Sequence, residues 1–300
     1  MKQVEYEHTP HNFLGLDPED CSLETSRNVV LPIPYDRTAS YGVGARNGPA
    51  AIIAASGQVE WYDMRLDCQP HKSGIATLPP LTPSAAGPEQ MCAQIRSCAA
   101  GLLDEEKMLV GLGGDHSVTI GLAQAHSERW PEIGFVQLDA HADLRDSYQG
   151  SRYSHACTAR RLNEIGPLLQ LGIRSACKEE LELDLPTPHP LITLQARELL
   201  QGRDWSVELD RLPEQIYLTI DVDVLDPAIM PSTGTPEPGG LGYYQTLEIL
   251  ERLFDSKRIV GMDLVELAPI SGISGPDVIC AHLVQTAIGL RWRSLLRENR

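Results

Sequence analysis

A chain of 300 residues with 42% hydrophobic and 22% charged side chains is long and apolar enough to bury a large core, which excludes a disordered or fibrous class. Its 41 acidic against 25 basic residues leave a formal net charge of −16, which repels phosphate backbones and anionic lipid surfaces and argues against nucleic-acid or membrane partners. Seven cysteines, odd in number and without a C-x-x-C pair, read as reduced thiols. The opening MKQVEYEHTPHNFLGL lacks an apolar signal core, and no apolar run approaches the roughly 18 residues of a membrane span, so the expectation is a cytoplasmic protein.

From the N-terminus, NVVLPIP (28–34) predicts a strand and PAAIIAASGQVEWY (49–62) a helix. The Pro-rich LPPLTPSAAGP (78–88) is a loop rather than a domain linker, because PEQMCAQIRSCAAGLLDEE (88–106) and KMLVGLGG (107–114) follow at once as helix and strand. The same unit recurs in SVTIGLAQAHSERW (117–130) with IGFVQLDA (133–140), and in HACTARRLNEIG (155–166) with LLQLGIR (168–174). QIYLTIDVD (215–223), YYQTLEILERLFDS (243–256), RIVGMDLVEL (258–267) and DVICAHLVQTAIGLRWRSLLRE (277–298) complete the alternation. Strands apolar on both faces, joined by helices, predict an α/β fold: a single three-layer αβα domain over residues 1–300 with a mostly parallel central sheet.

In such sheets ligands gather beyond the carboxyl ends of the strands. Three predicted strands end in polar clusters: GLGGDHS with Asp115 and His116, DAHAD with Asp139, His141 and Asp143, and TIDVDVLDP with Asp221 and Asp223. Side chains two apart on an extended strand share a face, so each pair can converge on one point. Singly, each cluster has a plain alternative, Asp115 as a helix cap or an Asp pair as the start of a turn. Together, Asp139, Asp143, Asp221 and Asp223 in one crevice would repel one another unless cations neutralised them. With His116 and His141, and without a thiolate, they form a hard-to-borderline ligand set that suits manganese and also accepts zinc, iron or cobalt. A pair of such ions activates water for attack on carbon or phosphorus.

With these motifs in hand, the chain resembles the arginase and agmatinase ureohydrolases. GGDHS (113–117), DAHAD (139–143), SHACTARR (154–161), TIDVDVLDP (219–227) and MDLVELAP (262–269) stand in the family's order, and YGVGARNGPAAI (41–52) looks like its N-terminal loop and helix. The resemblance implies an arginase-like fold and two manganese ions per chain, bridged by Asp139 and Asp221. His116 and Asp143 would complete one coordination sphere, His141 and Asp223 the other. It further implies that Glu266 pairs with the substrate guanidinium, that Asp143 carries a proton from a bridging hydroxide to the leaving nitrogen, and that His155 is the proton shuttle at the mouth. It also implies a homo-oligomer, trimer or hexamer. The plain alternatives are a surface carboxylate for Glu266 and a capping or packing role for His155; His126 and His282, in helical stretches, read as structural.

The segment after DAHAD, LRDSYQGSRYSHA, carries Arg145, Asp146, Tyr148 and Arg152 and looks like the short agmatinase-type branch. Ala156 departs from the Gly that often follows the shuttle histidine in the family. If Arg145 faces the pocket, a carboxylate-tailed substrate such as guanidinobutyrate is favoured; if Asp146 or another acid neutralises it, a cationic amine fits. The expected reaction is agmatine to putrescine and urea, ahead of aminopropylagmatine, guanidinobutyrate or another guanidino acid. A related-fold deacetylase with one zinc, a dinuclear phosphoesterase and a non-catalytic homologue are the rivals. All six ligands and the lack of a basic phosphate cluster argue against them.

Overall fold

The computed structural model describes residues 11–181 and 188–298. Its centre is an eight-stranded sheet in the order β2-β1-β3-β8-β7-β4-β5-β6. The strands are β1 (Asn28–Ile33), β2 (Ile75–Thr77), β3 (Met108–Gly113), β4 (Gly134–Leu138), β5 (Leu168–Ile173), β6 (Leu191–Gln195), β7 (Gln215–Asp221) and β8 (Arg258–Val265). Every pairing in the sheet is parallel. The helices are α1 (Gly48–Ser56), α2 (Pro88–Ala100), α3 (Val118–Arg129), α4 (Thr158–Ile165), α5 (Lys178–Leu181), α6 (Ala196–Leu200), α7 (Ser206–Asp210), α8 (Tyr243–Ser256) and α9 (Gly275–Glu298).

Each central strand sends alternate side chains to two separate cores, which is why the strands read as unbroken apolar runs. On one face Val30, Val110, Val136 and Leu218 pack with Ile52 of α1, Leu250 of α8 and Val284 of α9. On the other, Leu31, Leu109 and Phe135 pack with Ile95 of α2, Leu122 of α3 and Leu162 of α4. The three-layer domain expected from the alternation is therefore the fold, with a sheet that is wholly rather than mostly parallel.

The differences lie at the margins. β2 and β6 were not anticipated: they are the two edge strands, β2 with only three residues to show a pattern and β6 only partly buried. The one-turn helices α5, α6 and α7 are too short to show a helical period. The helix expected over 49–62 stops at Ser56 and that over 88–106 at Ala100, each followed by a glycine. The stretch from His155 opens as a tight 3-10 turn before α4 begins.

After β3 the chain passes over two strand positions, later filled by β8 and β7, before laying down β4. The carboxyl ends of β3, β8, β7 and β4 thus stand side by side at the middle of the sheet. That is the place where an open parallel sheet forms its binding crevice.

Candidate metal centre

Each of these four strand ends is shaped to aim polar groups into the crevice. Beyond β3, Gly114 presses on the loop that follows β1: a Cβ there would lie 1.9 Å from the carbonyl oxygen of Tyr35, so no other residue fits. Asp115 N–H donates to that same oxygen at 2.7 Å, which places His116 at the head of α3. Beyond β8, Glu266 takes a left-handed backbone (φ 67°), its N–H donates to Gly114 O at 2.8 Å, and its Oε1 accepts the N–H of His116 at 2.7 Å. Asp143 is also left-handed (φ 52°). A non-glycine residue held there costs of order 1 kcal/mol, strain that recurs where function dictates the backbone.

The extended i, i+2 geometry expected of the Asp pairs is corrected by the structure. β7 ends at Asp221, and Asp223 sits in a 3-10 turn (Val222–Val224), its N–H donating to Asp221 Oδ1 at 2.9 Å. Likewise β4 ends at Leu138, and the N–H of His141 donates to Asp139 Oδ1 at 2.6 Å. The side chains converge because a carboxylate folds the backbone around itself, as Asp does at turns, and not because a pleat aligns them.

The convergence is tight. His116 Nδ1 lies 3.0, 3.2 and 3.3 Å from carboxylate oxygens of Asp139, Asp143 and Asp221. His141 Nδ1 lies 2.9 Å from Asp223 Oδ2 and 3.7 Å from Asp139 Oδ1. Two groups of possible ligands result, His116 with Asp139 and Asp221, and Asp139 with His141 and Asp223, each with donor atoms within 4.8 Å of one another. Asp139 belongs to both, and all but His141 are buried.

Burial, then the charge of Asp139, pushes Asp143 up to about 6. Burial, then the charges of Asp223 and Asp139, pushes Asp221 well above the carboxylate range. Burial followed by Asp139 raises Asp223 as well. For the two histidines burial opposes the charge, but hydrogen bonds to the carboxylates outweigh it, raising His141 to about 12 and His116 well above its ordinary value. The cluster attracts positive charge, as protons or as cations.

The aim of His116 at the cluster has a cause outside the ligand set. Tyr217 OH and Thr219 Oγ1 both donate to the buried Asp263, each at 2.6 Å. With its own proton spent, Thr219 Oγ1 accepts from His116 Nε2 at 2.9 Å. The neutral ring is thereby protonated on Nε2, and the lone pair of Nδ1 faces three carboxylate oxygens. Oxygen and imidazole donors without a thiolate are what a borderline divalent cation prefers. Thr219, Asp263 and Gln137, whose Nε2 donates to Asp139 Oδ2 at 2.6 Å, were not anticipated. The available signal was a polar residue inside an apolar strand, as in VQLDA, YLTID and GMDLV.

A cavity of about 320 Å³ opens onto the cluster and is lined by His116, His141, Asp143, Asp221 and Glu266. His155 and Arg145 line the same space, so every sequence-predicted site residue except the buried Asp139 and Asp223 borders it. Glu266 is buried, which excludes the surface-carboxylate alternative. Arg145 packs over the Tyr148 ring at 5.1 Å, with Nε 4.0 Å from buried Glu180. Asp146 is not its partner, for it pairs with Arg161 at 2.9 Å and Arg152 at 3.2 Å. Asp115 belongs to neither group of possible ligands and accepts Ser117 N–H, as a helix-start residue would. His126, as expected, is a core residue, and no helix among the described residues is long and apolar enough to cross a membrane.

Fold and site together define a class: a parallel α/β hydrolase whose crevice holds a carboxylate–imidazole centre for a pair of cations. The profile of the Arginase family matches residues 26–289, and the chain belongs to that family. It is one of its hydrolases, of the ureohydrolase kind. It is 42% identical over 274 residues to an N(1)-aminopropylagmatine ureohydrolase of Thermus thermophilus, covering 91% of this chain and 93% of that one. The agmatinase of Pyrococcus horikoshii is 34% identical, with 88% and 92% covered. Among solved structures, the agmatine ureohydrolase of Thermoplasma volcanium superposes with a TM-score of 0.86 at 29% identity, covering 98% of each chain.

Proposed function

We propose that residues 1–300 form one ureohydrolase domain that hydrolyses the guanidino group of a cationic polyamine, with N1-aminopropylagmatine as the foremost substrate and agmatine second. The ranking reverses the expectation from the sequence, because the relative with 42% identity bears the first name and the one with 34% the second. The observation that carries the reading is the Nδ1 of His116 facing three carboxylate oxygens in a cavity that Glu266 also lines.

Two manganese ions would be held by His116, Asp143, His141 and Asp223, with Asp139 and Asp221 shared between them. When bound, such a pair supplies Lewis acidity that makes a nucleophile of water at neutral pH. The remaining work belongs to the chain. Glu266 has Oε1 anchored on the N–H of His116, which leaves Oε2 to take a planar guanidinium by charge-assisted hydrogen bonds and hold its carbon over the cluster. Asp143 takes the proton released as the carbon–oxygen bond forms and passes it to the departing amine nitrogen, so that urea and a polyamine leave. His155, which lines the same cavity, exchanges protons with solvent.

A second reading follows from Arg145, which lines the cavity with Glu180 at 4.0 Å, rather than Asp146, as its acidic neighbour, and which would have to turn from Glu180 to the substrate. Its charge would seat a carboxylate tail, as in guanidinobutyrate. Urea release by the manganese-loaded protein from aminopropylagmatine, agmatine, guanidinobutyrate and arginine, with metal content measured on the same sample, separates the readings. Preference for the guanidino acid would overturn the polyamine assignment, and no urea despite two bound metals would overturn the hydrolytic one. The working protein is expected to be a cytoplasmic homo-oligomer, trimer or hexamer.

A further inference from the structure

A second run of hydrogen bonds joins three remote segments at the side of the cavity. Buried Asp115 gathers four donors: the N–H and hydroxyl of Ser117, and the N–H and hydroxyl of Thr38, the last two at 2.8 and 2.9 Å. A carboxylate ringed by four donors is an acceptor only, so the single hydroxyl proton of Thr38 points at Asp115. The oxygen of Thr38 must therefore accept on its other side. His155 is there twice, with its backbone N–H at 3.0 Å and its ring Nδ1 at 3.3 Å. Ser154 Oγ, at 3.4 Å, is the more distant neighbour of the same ring nitrogen. With Nδ1 protonated toward Thr38, the basic atom of the neutral ring is Nε2, on the side of Ser40 Oγ at 3.3 Å. Ser40 and His155 both line the cavity, and the Tyr148 ring packs edge-on against the imidazole, with centroids 5.9 Å apart.

We infer that Thr38, braced by Asp115, is a positioning residue for His155: it sets the tautomer and orientation of the ring so that Nε2 is the nitrogen presented to the cavity. The inference rests on the reading of His155 as the group that exchanges protons there. An imidazole with its neutral proton on Nε2 would offer the cavity a donor and could not accept a proton from it. Thr38 belongs to the loop that follows β1 and to none of the metal-ligand motifs, and its contact with His155 spans 117 positions of sequence.

Thr38→Val keeps the backbone N–H on Asp115 and removes the hydroxyl; Thr38→Ser keeps both. In the full-length, manganese-loaded protein, Thr38→Val should lower kcat for urea release by at least about tenfold, a part of the roughly 100- to 10,000-fold that a positioned acid–base group supplies, with KM little changed. Thr38→Ser should restore most of kcat. In a His155→Asn background the valine should cost less than about twofold, since its effect passes through the ring. An equal cost in both backgrounds overturns the inference, because Thr38 would then support the loop alone. Apart from turnover, nitrogen-15 spectra of the magnesium-loaded protein read the tautomer directly, with His155 assigned by its loss in His155→Asn. Protonated Nδ1 in the native and Thr38→Ser proteins, lost in Thr38→Val, is the expected result; an unchanged tautomer in Thr38→Val overturns it. Should the native protein release no urea, the proposed function falls while the spectra still decide the tautomer.

Discussion

The Nε2 of His116 lies 2.9 Å from Oγ1 of Thr219, whose own proton is given to Asp263 at 2.6 Å. A ring held in this tautomer meets a metal with its lone pair already aimed, and groups that orient a ligand this way commonly contribute 10- to 100-fold in affinity. Thr219→Val should accordingly weaken binding of manganese by about 10- to 100-fold, while Thr219→Ser retains it. Competition with a fluorescent chelator measures both, and an unchanged Kd for the valine variant would refute the relay.

Glu266→Gln removes charge but keeps an oxygen able to accept the N–H of His116. The variant should fold, keep its metal and lose about tenfold or more in kcat/KM, the cost of replacing a charge-assisted contact with a neutral one. Full turnover with native metal content would remove Glu266 from the anchoring role.

Asp221 is driven well above the carboxylate range by burial, Asp223 and Asp139, so its ionised form destabilises the metal-free fold. Asp221→Asn should relieve that repulsion. In chelator-treated samples the variant should melt at or above the native temperature, and on adding manganese the native protein should overtake it. A lower Tm for the variant in chelator would contradict the electrostatic account.

Stability toward acid has a separate origin in His126, fully buried, whose Nδ1 donates to Leu122 O at 2.7 Å. Burial pushes it down to about 4, against the smaller opposing effect of that hydrogen bond. The unfolded imidazole protonates near 6.5, so between about 6.5 and about 4 the unfolded chain binds more protons than the folded one. The contribution is complete above that window and lost as pH falls through it, to a ceiling on the order of 3 kcal/mol. Urea midpoints at pH 7.5 and pH 5 should therefore separate more for the native protein than for His126→Gln. Equal separations would mean that other groups govern the acid limb.

The clustered carboxylates and imidazoles were legible from the sequence because each set sits within five residues at the end of an apolar strand, and the strands were legible because helical layers cover both their faces. β2 escaped notice because it is only three residues long, and β6 because it is only partly buried. The partner of Asp146 escaped it too: Arg161, 15 positions on in α4, takes the carboxylate that local reading offered to Arg145.

By itself the sequence determined the alternation of strand and helix, the chemical nature of the donors and their place at strand ends, since all three follow from spacings of a few residues. Only the tertiary structure decided which polar residues serve those donors. Thr219 meets His116 across 103 positions and Thr38 meets His155 across 117, and such pairings exist only once β7 lies two places from β3 and the loop after β1 folds over the crevice. The physical reason is range: hydrophobic period and turn chemistry act between near neighbours in the chain, whereas a hydrogen bond that fixes a tautomer depends on atoms within about 3 Å, wherever in the chain they come from.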